Sequence, residues 1–85
     1  MEEIYTVYIL YSKKYDKIYI GYTSNLIARF HSHNSLSKKG YTKKYRPWQV
    51  IYVETYSVKR AAMDREKYLN SGVGRQWIHK EILNT

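Results

Sequence analysis

The sequence predicts an α/β (α+β) fold: a small three-stranded sheet, antiparallel or mixed, flanked by helices in the order β-β-α-β-α-α. Three observations lead there. Residues 4–11, IYTVYILY, and 18–22, IYIGY, are runs of β-branched and aromatic residues, and the polar SKKYD between them reads as a hairpin connection. Residues 48–56, WQVIYVETY, have the same composition and read as a third strand, with Ile51 and Val53 alternating against Val50 and Tyr52. The remaining apolar residues recur at helical spacing. A chain of 85 residues supports one modest core, so a single domain over 1–85 with a shallow surface site is expected.

Each element has its own signals. An even-length loop in the first hairpin, either Lys13-Lys14 or Ser12 to Tyr15, sets Tyr8 opposite Tyr19 and puts both phenols on one face. Val7, Ile9, Ile18 and Ile20 then share the other. Gly21 is read as the structural turn that sends the chain into a helix capped by Thr23 or Ser24. That helix carries an apolar stripe of Leu26, Ile27 and Phe30, with Arg29 and His33 four residues apart beside it. Residues 35–47, SLSKKGYTKKYRP, read as a polar surface loop. Ser57 reads as the cap of a helix over VKRAAMDREKYLN, stopped near Ser71-Gly72. A last short helix, GRQWIHKEIL, is expected to return Trp77, Ile78 and Ile82 to the core.

Fifteen Lys and Arg against seven Asp and Glu give a net charge of +8, which points to a polyanionic partner rather than to solubility alone. Eleven tyrosines add stacking faces to that charge, although most of them suit half-buried strands. The absence of cysteine excludes a disulfide scaffold and any thiolate zinc site and fits a reducing compartment. The acidic start MEEIYTVYIL and the lack of a long apolar run predict a cytoplasmic protein with no membrane partner.

The motifs are more specific than the composition. The triplet TVY at 6–8, followed by YIG at 19–21, resembles the paired signature of the GIY-YIG nuclease family. The likeness continues through Arg29 and His33 in ARFHSHN and Glu66 in AAMDREKYL, in the family's order, and spans nearly the whole chain. It is nearest to the small single-domain members, related to the N-terminal nuclease domain of the bacterial excision-repair nuclease. Two positions depart from the pattern. Thr6-Val7 replaces Gly-Ile while keeping the phenol, and Tyr22 stands where some branches place a lysine, so that charge is either absent or supplied by another group.

The resemblance implies a metal-dependent endonuclease that hydrolyses DNA, branched or damaged substrates of repair or recombination among them. It assigns Tyr8, Tyr19, Arg29 and His33 to catalysis and Glu66 to a Mg²⁺ or Mn²⁺ ion. The chemistry of each residue type agrees. A glutamate is a hard oxygen ligand for such an ion, and an arginine can fork onto non-bridging phosphate oxygens as charge builds. A phenol with an ordinary pKa near ~10 is a poor base unless cations favour phenolate or a neighbour relays its proton. Lys38, Lys39, Tyr41, Lys43, Lys44, Tyr45 and Arg46 form the expected nucleic-acid grip, gathering five of the fifteen basic residues around two rings. Two other readings compete: a module that binds nucleic acid without cutting it, and a nuclease subunit that takes its specificity from a protein partner.

Overall fold

The computed structural model describes residues 3–36 and 40–84, with the side chains of all of these except 35 and 36. Three strands, β1 (Tyr5–Ser12), β2 (Lys17–Thr23) and β3 (Gln49–Tyr56), form one antiparallel sheet in the order β2-β1-β3. Helix α1 (Leu26–His31) runs on as a wider π turn, Ser32–Leu36, and α2 (Tyr41–Lys44) is a single turn before β3. Helices α3 (Lys59–Leu69) and α4 (Gly72–Trp77) follow, and α4 also relaxes into a π turn over Ile78–Leu83. Among the described residues, no helix is long and apolar enough to cross a membrane.

The hairpin register differs from the expected one by two residues. The loop is the four residues 13–16, with Asp16 in the left-handed region at φ 54°, and its carboxylate accepts a hydrogen bond from the Tyr11 hydroxyl at 2.8 Å. Tyr8 therefore lies opposite Gly21, and Leu10 opposite Tyr19. A shift of two preserves the side-chain parity of a strand, so the two phenols still share a face. Val7, Ile9, Ile18 and Ile20 pack on the other face with Ala62 and Leu69 of α3 and with Ile78, backed by Trp77, Ile82 and Leu83.

Gly21 does not make a turn. It sits within β2 without a positive φ, and its missing side chain makes room for the phenol across from it: a Cβ there would meet the Tyr8 Oη at 2.6 Å and its Cζ at 2.9 Å. The chain turns into α1 later, where Asn25 rather than Thr23 or Ser24 is the cap. The Asn25 side chain accepts from the Ala28 N–H at 3.1 Å, and Thr23 Oγ1 supports the turn by accepting from the Asn25 N–H. Leu26 and Phe30 pack against Tyr8, Leu10 and Trp48, but Ile27 is 85% exposed and falls outside the stripe.

Three further expectations are corrected. Residues Ile9 and Leu10 of β1 pair with Tyr52 and Val50, so Ile51 is an extra residue in β3 and breaks the expected alternation. Ile51 and Tyr52 both reach the aliphatic core, while Val53 is exposed. Helix α3 begins after Val58 with no side-chain cap, so Ser57 does not serve as one. At its far end α3 stops at Leu69, just before Ser71-Gly72 as expected, but the last helix begins at Gly72 rather than Gly74, with Ser71 capping it by accepting from the Gly74 N–H. A Cβ at Gly74 would collide with the Tyr68 carbonyl oxygen, which shows how closely α4 docks on the end of α3.

Candidate active site

The second face of the sheet is built from rings. Tyr8 and Leu10 of β1 and Trp48 are buried there, with Tyr19, Leu26, Phe30 and Tyr45 packed around them. Tyr8 projects from the central strand and is 1% exposed, so its hydroxyl requires a partner. That partner is His33: Tyr8 Oη lies 2.9 Å from His33 Nε2. The Tyr19 ring closes the group, 4.7 Å from the imidazole and 6.3 Å from the Tyr8 ring.

His33 is held from behind. It belongs to the π turn after α1, and its carbonyl accepts from Arg46 Nε at 2.8 Å. The neighbouring Asn34 accepts from the Trp48 N–H at 2.6 Å and donates to the Trp48 carbonyl at 3.0 Å. The Trp48 indole N–H in turn donates to the Thr42 carbonyl at 2.8 Å. The part of the expected surface loop from Tyr41 to Arg46 is thus pinned beneath the site. α2 buries Thr42 and lays the Tyr41 ring on Trp48 at 5.8 Å. Neither Asn34 nor Trp48 carries a sequence signal for this role; the only hint is a tryptophan directly after proline in a polar segment.

Electrostatics divide the two partners. Burial, reinforced by the neighbouring Tyr19 and Glu66, pushes the Tyr8 phenol well above its ordinary range, and Arg29 opposes this. Burial and the Arg29 charge both lower the His33 imidazole. At neutral pH the pair is therefore a neutral phenol against a neutral imidazole. Arg29 itself is exposed at the rim and lines two adjoining hollows, one with Thr23, Asn25 and Ser32 and the other with Tyr5, Tyr22 and Lys59. Lys59 thus provides a cation beside Tyr22, which has none to offer.

Glu66 reaches the same region from α3. It is half-buried, its charge is felt at the Tyr8 phenol, and among the described residues its carboxylate has no hydrogen-bond or ion-pair partner. The preceding residue ties α3 to the sheet. Arg65 makes a two-pronged ion pair with Glu54 of β3, at 2.9 and 3.1 Å, and stacks between Tyr68 and Trp77. The Tyr52 and Tyr56 hydroxyls donate to the same carboxylate. No group of three or more carboxylate, histidine or cysteine side chains able to hold a metal occurs among the described residues. A single unpaired carboxylate fits a hard divalent ion that keeps most of its waters and meets phosphate oxygens, and does not fit one caged by the protein.

Of the residues expected to grip nucleic acid, Lys43 and Lys44 are exposed on α2, Tyr41 and Tyr45 pack edge to face at 4.8 Å, and Arg46 is bonded to the His33 carbonyl. Lys38 and Lys39 lie outside the described residues.

Comparison with known proteins bears on the chain as a whole. Residues 4–76 match the GIY-YIG catalytic domain. The chain is 36% identical over 76 residues to a UPF0213 protein of Limosilactobacillus reuteri, covering 87% of this chain and 78% of that one. It is 43% identical over 60 residues to the UPF0213 protein SH2523 of Staphylococcus haemolyticus, covering 71% and 72%. Among solved structures, the solution structure of the UPF0213 protein BH0048 from Bacillus halodurans superposes with a TM-score of 0.55 at 25% identity, over 91% of this chain and 83% of that one.

Proposed function

This chain belongs to the GIY-YIG family of nuclease domains, and from that premise we propose that it is a divalent-metal-dependent endonuclease hydrolysing DNA phosphodiester bonds, with branched or damaged DNA of repair or recombination among its substrates. The observation that carries the reading is the buried Tyr8–His33 hydrogen bond of 2.9 Å, set between Tyr19, Arg29 and an unpaired Glu66.

Phosphodiester hydrolysis requires an activated water and stabilisation of the charge that builds on the phosphorus oxygens. A raised phenol cannot rest as phenolate, so Tyr8 does not act as a free base. It acts as a relay. The water proton passes to Tyr8 Oη as the phenol proton moves to His33 Nε2, which the depressed imidazole leaves open to accept when its own proton sits on Nδ1. The Tyr19 ring, against both partners, fixes the imidazole and excludes water from its face. Arg29 at the rim meets the non-bridging oxygens, where a guanidinium can bind two at once. Glu66 would hold a Mg²⁺ or Mn²⁺ ion, which when bound would supply neutralisation of the building negative charge.

The deciding experiment is cleavage of labelled duplex, branched and single-stranded DNA with Mg²⁺ or Mn²⁺, comparing the wild type with Glu66→Ala. Cutting that requires both the metal and Glu66 is the expected result. Salt-sensitive binding by both proteins with no cutting by either identifies a binding module, or a subunit that needs a protein partner.

A further inference from the structure

Beside the catalytic group the rings continue outward. Tyr41 lies 6.4 Å from Tyr19, Tyr45 packs edge-on to Tyr41 at 4.8 Å, and Tyr15, from the β1–β2 loop, packs edge-on to Tyr45 at 5.5 Å. This strip leads from the candidate catalytic phenols to the tip of the hairpin. It is not sealed as a core would be: Tyr41 is 43% and Tyr15 41% exposed.

Cations border it. Lys14 stands 5.3 Å from the Tyr15 ring centroid, and Lys17 and Lys44 each stand 5.4 Å from that of Tyr45. Among the described residues none of these three lysines is in an ion pair. Where the strip meets β2, a hollow of about 220 Å³ opens, lined by Ile18, Tyr19, Ile20, Tyr41, Asn70 and Arg75. The Tyr41 hydroxyl donates to the Ile18 carbonyl at 3.1 Å and fixes the ring at its wall, while Arg75 donates to Asn70 Oδ1 at 3.2 Å.

Lysines alone would serve any phosphate backbone, including that of a duplex. Half-exposed rings at the ends of a strip whose rings carry lysine ammonium groups over them are different, because a base can take the place of a mobile lysine. In a duplex each base face is covered by its neighbours, so only an unpaired base can use them, and base–aromatic stacking tolerates any sequence. We propose that the strip Tyr15–Tyr45–Tyr41 is a track for unpaired nucleotides of the strand whose phosphodiester reaches Tyr8, so that the preferred substrate is single-stranded on that side of the scissile bond. This rests on the nuclease reading for its catalytic end, and on the ring geometry alone for the track.

The test is binding without cutting. Fluorescein-labelled oligothymidylate and a blunt duplex of equal length are titrated by fluorescence anisotropy in the presence of a chelator, with wild type, Tyr15→Ala, Tyr45→Ala, the double alanine variant and the matching double phenylalanine variant. The double alanine variant is expected to bind oligothymidylate at least about tenfold more weakly while its duplex affinity changes less than about twofold. The phenylalanine pair should stay within about twofold of wild type on both. Equal losses on the two DNAs, or none on either, overturn the proposal. Tyr15→Ala keeps the test decisive if the double variant does not fold, because the ring lies on an exposed loop; a loss of about fivefold, confined to oligothymidylate, is expected. Glu66→Ala separates this proposal from the nuclease reading: it should keep the wild-type preference for oligothymidylate. A wild type that shows the preference but cuts nothing refutes the nuclease while the track stands. Metal- and Glu66-dependent cutting with no such preference does the reverse.

Discussion

The two faces of the sheet bury similar numbers of strand residues with opposite chemistry. On one face Val7, Ile9, Ile18 and Ile20 close on Ala62, Leu69 and Ile78 with no polar side chain among them. On the other, Tyr8, Tyr19, Trp48 and His33 close on one another, and the polar edges of Tyr8, His33 and Trp48 find partners within the layer or in the backbone beneath it. The contrast teaches why a domain this small can hold a hydroxyl and an imidazole under cover. Aliphatic packing supplies stability on one side, and rings with polar edges let the other side bury a hydroxyl and an imidazole at little cost. Because strand parity alone sorts residues between the faces, Tyr8 can carry chemistry while its neighbours Val7 and Ile9 hold the fold.

Substitutions on the two faces should separate the two roles, and the largest effect is expected on the aromatic side. Tyr8→Phe keeps the ring and removes the relay, so cleavage should fall by about 10²–10⁴-fold with DNA affinity nearly unchanged. The imidazole left without its partner costs about 1–3 kcal/mol of stability; a modest loss of cleavage would break the division. Ile78→Ala on the aliphatic face should do the opposite. It should cost about 2–5 kcal/mol of stability in denaturant titration, with the folded protein cutting at its normal rate. Gly21→Ala joins the two effects, since the new Cβ collides with the phenol. A loss of about 1–3 kcal/mol together with weakened cleavage is expected, and partial rescue by Tyr8→Phe of the stability alone would locate the clash at the hydroxyl.

The pH dependence gives a smaller effect. His33 titrates in the folded protein below its unfolded value of about 6.5. As pH falls, the unfolded chain therefore takes up the proton first. The stability tied to neutral His33 is complete above about pH 6.5 and is lost as pH falls through the depressed native value. Denaturant midpoints should decline on that acid side, the decline should vanish in His33→Gln, and the cleavage rate should hold through pH 6.5 before it drops. Asp64→Ala, which removes an exposed pair with Arg60 far from either face, should change stability by less than about 0.5 kcal/mol.

Much of this arrangement is legible in the chain alone, and the rest fails for identifiable reasons. The strands show in their β-branched and aromatic runs, and parity places Tyr8 with Tyr19 under either register. The register itself depends on Asp16 adopting a left-handed conformation, which SKKYD does not announce as Asn-Gly would. The bulge at Ile51 leaves no trace in composition, so period-two counting misplaces Ile51 and Val53. Gly21 stands out in the sequence as a missing side chain, but its geometry is not local: the glycine gives space to a facing ring, a property of the partner strand. The meeting of Tyr8 and His33 is likewise invisible to spacing, because it depends on the π turn and on Asn34 and Trp48 bonding across fourteen residues.

Tyr8 stands on β1, which is paired along both edges, to β2 on one side and β3 on the other. Amide hydrogens in such a strand exchange with solvent only when the whole molecule opens, whereas frayed ends and edge loops exchange by local fluctuations. The Tyr8 phenol is therefore anchored in the central, slowest-exchanging strand, while Arg29 on α1 and the rings around α2 ride on the periphery. On warming, the backbone that carries Tyr8 is expected to be released only with global melting, after Arg29 and the α2 rings have begun to loosen.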